Sequence, residues 1–343
     1  MKNITCSEFI KKLPKAELHV HIEGTMEPEQ LFVFADRNKI QVPSNLITQE
    51  NKYAFYDYQS FIDTYILATN VLQHEQDFYD VTMAYLKKAH EQGVLHSEIF
   101  FDLQTYMPRN IAPEIIIDGI ELALVDGQKQ FGISAFLIMC FIRHLSESDA
   151  FKALELAHAK HSKIVGVGLA SAEQGNPPSK FERVFAQARS YGYHVVAHAA
   201  EKGDAGPAMI REALDLLGAE RIDHGVGCMA DQDLVTELVY KQIPLTVCPL
   251  SNIVLGGFEK LEDHPLKQML NAGLMVSINS DDPAFFGGYI ADNYQAVADA
   301  LKLSCGELVM CARNSFKSSF LDESKKNDYG QMLALYIAQH TCL

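Results

Sequence analysis

Glu17-Leu18-His19-Val20-His21-Ile22 reads as a short buried strand that carries two imidazoles near its end. Alternate residues of an extended chain point to one side, so His19 and His21 project together. Three other stretches likewise close short apolar runs: His198-Ala199-Ala200-Glu201, Asp223-His224-Gly225 and Ser280-Asp281-Asp282-Pro283. A third imidazole and an Asp brought beside His19 and His21 complete a nitrogen-rich site with one hard oxygen ligand, which suits zinc. Glu201 and His224 remain as titratable groups next to the metal. Such an inventory predicts a hydrolytic enzyme that activates water.

Around that stretch, strand-like runs alternate with helix-like ones, the pattern of βαβ units and a parallel sheet. The expected strands are Glu17–Ile22, Val94–Phe101, Ser134–Phe141, Ile164–Leu169, His194–Ala199, Arg221–His224, Pro244–Cys248 and Met275–Asn279. Several are apolar throughout, as strands covered on both faces are. Eight such runs predict a closed (β/α)₈ TIM barrel forming one domain over residues 1–343. Helical periodicity runs through Phe78–Gln92, Pro113–Gln130, Lys180–Tyr191 and Ala208–Leu217. The stretch from Glu27 to Gln92 is too long for one crossover, which predicts several helices and a cap over the barrel mouth. His21, His198, His224 and Asp281 fall at or just past the C-terminal ends of four strands, the rim where active sites of such barrels lie.

The bulk properties narrow the partners. The 343 residues carry 29 basic and 44 acidic side chains, a net charge of -15, and no basic run longer than a lysine pair. Nucleic-acid binding needs clustered cations against phosphates, so this balance predicts none. No run approaches a membrane span and no signal-peptide stretch opens the chain, so a cytoplasmic protein without a membrane partner is expected. A homo-oligomer stays open. The cysteines at 6, 140, 228, 248, 305, 311 and 342 are scattered with no CxxC, which indicates neither a disulfide framework nor a thiolate zinc site.

Rival chemistries fit poorly. There is no GxSxG elbow and no GxxxxGK[ST] loop, and Gly166-Val167-Gly168 lacks the third glycine of a dinucleotide fingerprint. The cysteine-ligated deaminase signature is missing too. A phosphoesterase on the same barrel would want further metal ligands at Ile164–Leu169, a run wholly apolar or glycine. The remaining histidines, His74, His90, His144 and His264 among them, read as surface or core residues.

Five motifs taken together resemble the adenosine and adenine deaminases of the metal-dependent amidohydrolase type. They are Pro14-Lys15-Ala16-Glu17-Leu18-His19-Val20-His21-Ile22-Glu23-Gly24-Thr25, His198-Ala199-Ala200-Glu201, Arg221-Ile222-Asp223-His224-Gly225, Cys248-Pro249-Leu250-Ser251-Asn252 and Asn279-Ser280-Asp281-Asp282-Pro283. They span nearly the whole chain in the family's order. The passage from Ala172 to Phe181 is similar to that of the microbial adenine deaminases. The resemblance implies one zinc ion bound by His19, His21, His198 and Asp281. It implies Glu201 as the acid that protonates purine N1 and His224 as the group that orients and helps deprotonate the attacking water. It further implies Asp282 as an acceptor on the protonated N7 side, and conversion of adenine to hypoxanthine and ammonia. Adenosine or an N6-substituted adenine is the alternative substrate, and a catalytically idle purine-binding protein the alternative class. Two positions depart from the family's pattern, Ala200 for the usual Gly and Ala170 for the usual Asp after the fourth strand. Glu173 falls where adenosine deaminases hold a Gly against N3, so it is expected to bind substrate beside N3 and N9 and to favour the free base.

Overall fold

The structure, a computed structural model, describes residues 2–159, 163–202 and 206–342. Eight parallel strands stand side by side in chain order: β2 (Lys15–His21), β3 (Val94–Phe101), β4 (Ser134–Ile142), β5 (Ile164–Ala170), β6 (His194–Ala199), β7 (Arg221–His224), β8 (Pro244–Val247) and β9 (Met275–Ile278). A separate parallel ribbon joins β1 (Lys2–Ile4) to β10 (His340–Cys342). Every strand read from the sequence is present, with its ends moved by no more than two residues.

Closure of the barrel rests on few bonds. Val20 bridges Asp281, where the His21 amide donates to the Asp281 carbonyl at 3.0 Å and the Asp281 amide donates to the His19 carbonyl at 3.0 Å. One step below, the Leu18 amide donates to the side-chain oxygen of Asn279 at 2.8 Å, replacing a ladder bond with a side chain. The result is a nearly closed (β/α)₈ barrel.

Its interior is unusually polar for such a barrel, which more often stacks branched apolar residues. Glu98, Arg221, Asp223, Thr246 and Ser277 are all fully buried. Arg221 donates to Glu98 and to the Leu18 carbonyl, so the charge is paired and hydrogen-bonded as burial demands. At the base, the Lys15 amine donates to the carbonyls of Ile10, Leu13 and Gln92. Phe100, Ile138, Cys140, Ala170 and Val196 form a small apolar cluster of their own. The main core lies between the strands and the outer helices and runs from Phe9 to Leu333.

Residues 27–92 fold into helices Pro28–Asn38, Tyr58–Thr69 and Glu75–Glu91. The second caps the mouth: Phe61 meets Phe285 at 5.7 Å and Phe286 at 5.0 Å, and Tyr65 meets Phe285 at 5.6 Å. Asp57 starts it by accepting from the Ser60 amide at 2.8 Å. The expected helix at Lys180–Tyr191 opens instead as a tight 3₁₀ turn, Pro178–Phe181, before its α-helical part Glu182–Ser190. That at Ala208–Leu217 relaxes into a π turn over Ala213–Leu217. Among the described residues no helix is long and apolar enough to cross a membrane. Cys305 is disulfide-bonded, a link that the scattered cysteine spacing does not announce.

Candidate metal centre and active site

Strand ends bring the predicted residues together. The ligand atoms of His19, His198, His224 and Asp281 lie within 4.8 Å of one another, and those of His21, Asp281 and Asp282 do so as well. His19 Nε2 stands 3.2 Å and His21 Nε2 3.4 Å from Asp281 Oδ1. His21 Nε2 and His198 Nε2 face each other at 3.2 Å. Two imidazole nitrogens at that separation cannot both donate, whereas both can offer lone pairs to a cation between them.

The supporting contacts favour that reading. His19 Nδ1 meets Thr246 Oγ1 at 3.1 Å, and His198 Nδ1 lies 3.4 Å from Asp223 Oδ2. Thr246 donates to the other Asp223 oxygen at 2.8 Å. With each Nδ1 turned to an oxygen partner, both Nε2 lone pairs point to the centre, the usual arrangement of a metal-binding imidazole. Phe100 packs under the rings of His19 and His21, each at 5.0 Å. Burial pushes the His21 imidazole down to about 3, so it is neutral and able to ligate. The residues present therefore fit a divalent ion of the zinc type. Asp223 and Thr246 were given no role on sequence grounds; the signal for Asp223 was its place between Arg221 and His224 in a strand with no surface.

Three of the site residues, and Ser171 beside them, carry an uncommon backbone. Ala200, His224, Asp281 and Ser171 have φ of 54°, 64°, 67° and 79°, in the left-handed region that non-glycine residues seldom enter. Each sits where a barrel strand ends and the chain must turn to present a side chain over the mouth. Such strain clusters at functional sites and persists because the surrounding structure enforces it. Gly24 answers a different constraint, since a Cβ there would lie 1.9 Å from Asp282 Oδ1.

A cavity of about 250 Å³ opens over this cluster, lined by His21, Glu201, His224, Asp281 and Asp282 on one side. Tyr58, Phe61 and Tyr65 of the cap helix and Gln104, Ile142 and Ala170 of the rim complete it. Burial, reinforced by the nearby Glu173 and Asp281 carboxylates, holds the Glu201 carboxyl well above the usual range. Burial also holds His224 well below the ordinary imidazole value, with His19 adding to the effect. Burial and the adjoining Asp281 raise Asp282 well above a free carboxylate. Asn252 ties Glu201 and His224 together: its Nδ2 donates to the Glu201 carbonyl at 2.8 Å and faces His224 Nδ1 at 3.4 Å, while its Oδ1 meets His264 Nε2 at 3.1 Å.

Glu173 lies beside the cavity rather than in its lining. Arg143, fully buried, sits 3.6 Å from its carboxylate and also donates to the carbonyls of His198 and Asn176, each at 2.8 Å. Glu173 Oε1 is buried with no hydrogen-bond partner. His144, read from sequence as surface or core, lines the cavity and meets Ser171 Oγ at 2.9 Å. His264 is a core residue that nonetheless serves the site through Asn252.

Comparison with known proteins places this geometry. The sequence pattern of the adenosine deaminase family matches residues 14–334. The adenine deaminase of Wolinella succinogenes is 50% identical over 326 residues, covering 95% of this chain and 98% of its own. The crystal structure of adenine deaminase from Arthrobacter aurescens superposes with a TM-score of 0.91 at 46% identity, covering 95% of this chain and 99% of that one. An amidohydrolase from Burkholderia ambifaria, solved with bound Zn, shares the fold with a TM-score of 0.86 at 21% identity, covering 98% and 95%. The chain belongs to the adenosine deaminase family.

Proposed function

We propose that this chain is a one-domain adenine deaminase that hydrolyses adenine to hypoxanthine and ammonia with one zinc ion per chain. The observation that carries the reading is the convergence of His19, His21, His198 and Asp281 with Glu201, His224 and Asp282 on one small cavity. The relatives reported above, named adenine deaminases, support adenine as the base.

An ion held by the four ligands supplies Lewis-acid activation of water near neutral pH. His224, neutral in its buried place, accepts the proton that the water gives up as it attacks C6. Glu201, kept in its acid form, delivers a proton to N1, so that charge does not build on the ring as aromaticity is lost. General acid help of this kind contributes roughly 10²–10⁴ in rate. The proton held by His224 then passes to the amino group, C6–N6 breaks and ammonia leaves, while the remaining hydroxyl proton at C6 passes to Glu201, which forms the C6 carbonyl and restores the acid. Atoms balance as adenine plus water giving hypoxanthine plus ammonia.

Hydrogen-bond counting refines two roles. Neutral adenine carries a single imidazole N–H, so Asp282 and Glu173 cannot both accept one. The assignment that uses both places Asp282, as the acid, donating to N7, and Glu173 accepting the N–H of the outer edge. A nucleoside lacks that N–H and would leave Glu173 Oε1 without its hydrogen bond, with only the 3.6 Å ion pair to Arg143, a penalty that enzymes use for rejection.

Ammonia release measured on adenine, adenosine and N6-methyladenine tests the reading. Adenine is expected to be the preferred substrate by kcat/KM. Adenosine turned over as well as adenine would overturn free-base selectivity, and no release from any of them with zinc bound would leave the idle-protein reading.

A further inference from the structure

Among the polar side chains on the cavity wall, Gln104 has a hydrogen-bonding state that is fixed and half unfulfilled. It follows β3 in a turn held by Asp102, whose carboxylate accepts from the Thr105 amide at 2.7 Å. The side chain is 3% exposed and lines the cavity. Its Oε1 accepts from the Ile142 amide at 2.8 Å, which settles the orientation of the carboxamide, because a backbone N–H can meet only the oxygen. Nε2 is thereby left as a buried donor with no partner. A buried donor without an acceptor is costly and uncommon in native proteins.

The strand order tells which part of a substrate it would meet. Glu201 follows β6 and Asp282 follows β9; in the proposed function they address N1 and N7, the two ring nitrogens on either side of the 6-amino group. The opposite edge of the purine, N3–N9, then turns toward the arc of rim between β3 and β5. Gln104 stands on that arc after β3 and Glu173 after β5, with β4 between them. The N3–N9 edge of free adenine, with its proton on N9 or on N3, offers one N–H and one lone pair. On that arc Gln104 Nε2 is a buried donor with no partner, and Glu173 Oε1, 3.6 Å from Arg143, accepts no hydrogen bond, so the two offer one donor and one acceptor.

We propose that Gln104 is a substrate-binding residue that donates to the lone pair of the N3–N9 edge of the free base and, with Glu173, selects that edge. The inference rests on the proposed function and deepens it. A 9-substituted adenine still offers N3 but no N–H, so it satisfies Gln104 at best and leaves Glu173 Oε1 with no hydrogen bond beyond its ion pair to Arg143.

The test is Gln104→Glu, which preserves an acceptor for the Ile142 amide and replaces the Nε2 donor with a carboxyl oxygen; rates are read across pH, so that the ionised side chain, which has no donor, is sampled. The zinc-loaded enzyme and the variant are assayed on adenine, with 3-deazaadenine, which lacks the N3 lone pair, as a competitive inhibitor. Loss of a buried donor predicts a fall in kcat/KM for adenine of about 10- to 100-fold, carried mostly by KM. The 3-deazaadenine inhibition constant should change by less than about threefold, and bound zinc and Tm should hold. A kcat/KM within about threefold of the parent would make Gln104 a tether only and overturn the inference while the proposed function stands. Equal weakening of adenine and 3-deazaadenine would overturn the assignment of the donor to that edge. A zinc-loaded parent inactive on adenine would fail the proposed function itself, and the inference with it.

Discussion

Ala200 holds a left-handed backbone, φ 54°, without the freedom glycine has. A Cβ in that region costs roughly 1–2 kcal/mol, while Ala gains about 0.4–1 kcal/mol over Gly through the unfolded chain. Ala200→Gly should therefore stabilise the protein by roughly 0.5–1 kcal/mol in urea unfolding, and a loss of stability would refute the strain argument. The next residue, Glu201, is held above the usual carboxyl range, so the acid form persists at neutral pH and activity should decline on the alkaline side as it ionises. Glu201→Gln should retain the metal, lose several orders of magnitude in kcat and abolish that alkaline limb. Turnover within tenfold of the parent would remove Glu201 from the acid role. At this scale the sequence was informative where residue type and spacing carry the chemistry: His-x-His on a strand and Asp281 beside it. It was silent on Gln104, Arg143 and Asn252. Their importance comes from which neighbour each amide or guanidinium meets, and no periodicity encodes that.

Among the elements, the cap helix Tyr58–Thr69 covers the cavity through aromatic contacts with the segment that follows Asp282. Its packing is local, so weakening it should alter substrate capture more than metal binding. Phe61→Ala removes a buried ring, a change worth roughly 3–5 kcal/mol in a rigid core. The expected outcome is a KM for adenine raised at least tenfold with zinc content unchanged; an unchanged KM would deny the helix its covering role. Most barrel strands were legible because burial on both faces leaves nearly continuous apolar runs; Val94–Phe101 and His194–Ala199 were found with their ends in place, as was Arg221–His224, whose run holds one apolar residue. Helix ends were less so. The 3₁₀ start at Pro178–Phe181 and the π turn at Ala213–Leu217 are set by packing against neighbours, which overrides the 3.6-residue pattern.

For the molecule as a whole, Lys15 seals the base of the barrel. Its amine joins three carbonyls: Ile10 of the helix Cys6–Lys12, Leu13 just after it, and Gln92, two residues before β3. Lys15→Met would fit the space but strand those carbonyls, each worth about 1–3 kcal/mol when buried and unpaired. Destabilisation of several kcal/mol is expected in denaturant, with the kcat of the surviving folded enzyme unchanged. A variant as stable as the parent would show that water reaches the base. The barrel class itself was legible from eight spaced runs. Its polar interior was not, since Glu98 and Arg221 look like surface residues until the topology places them opposite each other.

The seam between β2 and β9 gives the ion a second consequence. The backbone bonds that shut the barrel there belong to His19, His21 and Asp281, three of the proposed ligands. An ion that grips their side chains thus rivets the first strand of the barrel to the last. Ligand excess of about 100 times Kd adds roughly 2.7 kcal/mol to folding, and here that energy falls on the joint with the fewest ladder bonds. Chelation should accelerate amide exchange at His21 and Asp281 before it does so at β3–β5, and shorten the survival of the chain under protease. Cellular turnover of the protein would then follow the supply of its metal, making zinc scarcity a control on abundance as well as on rate.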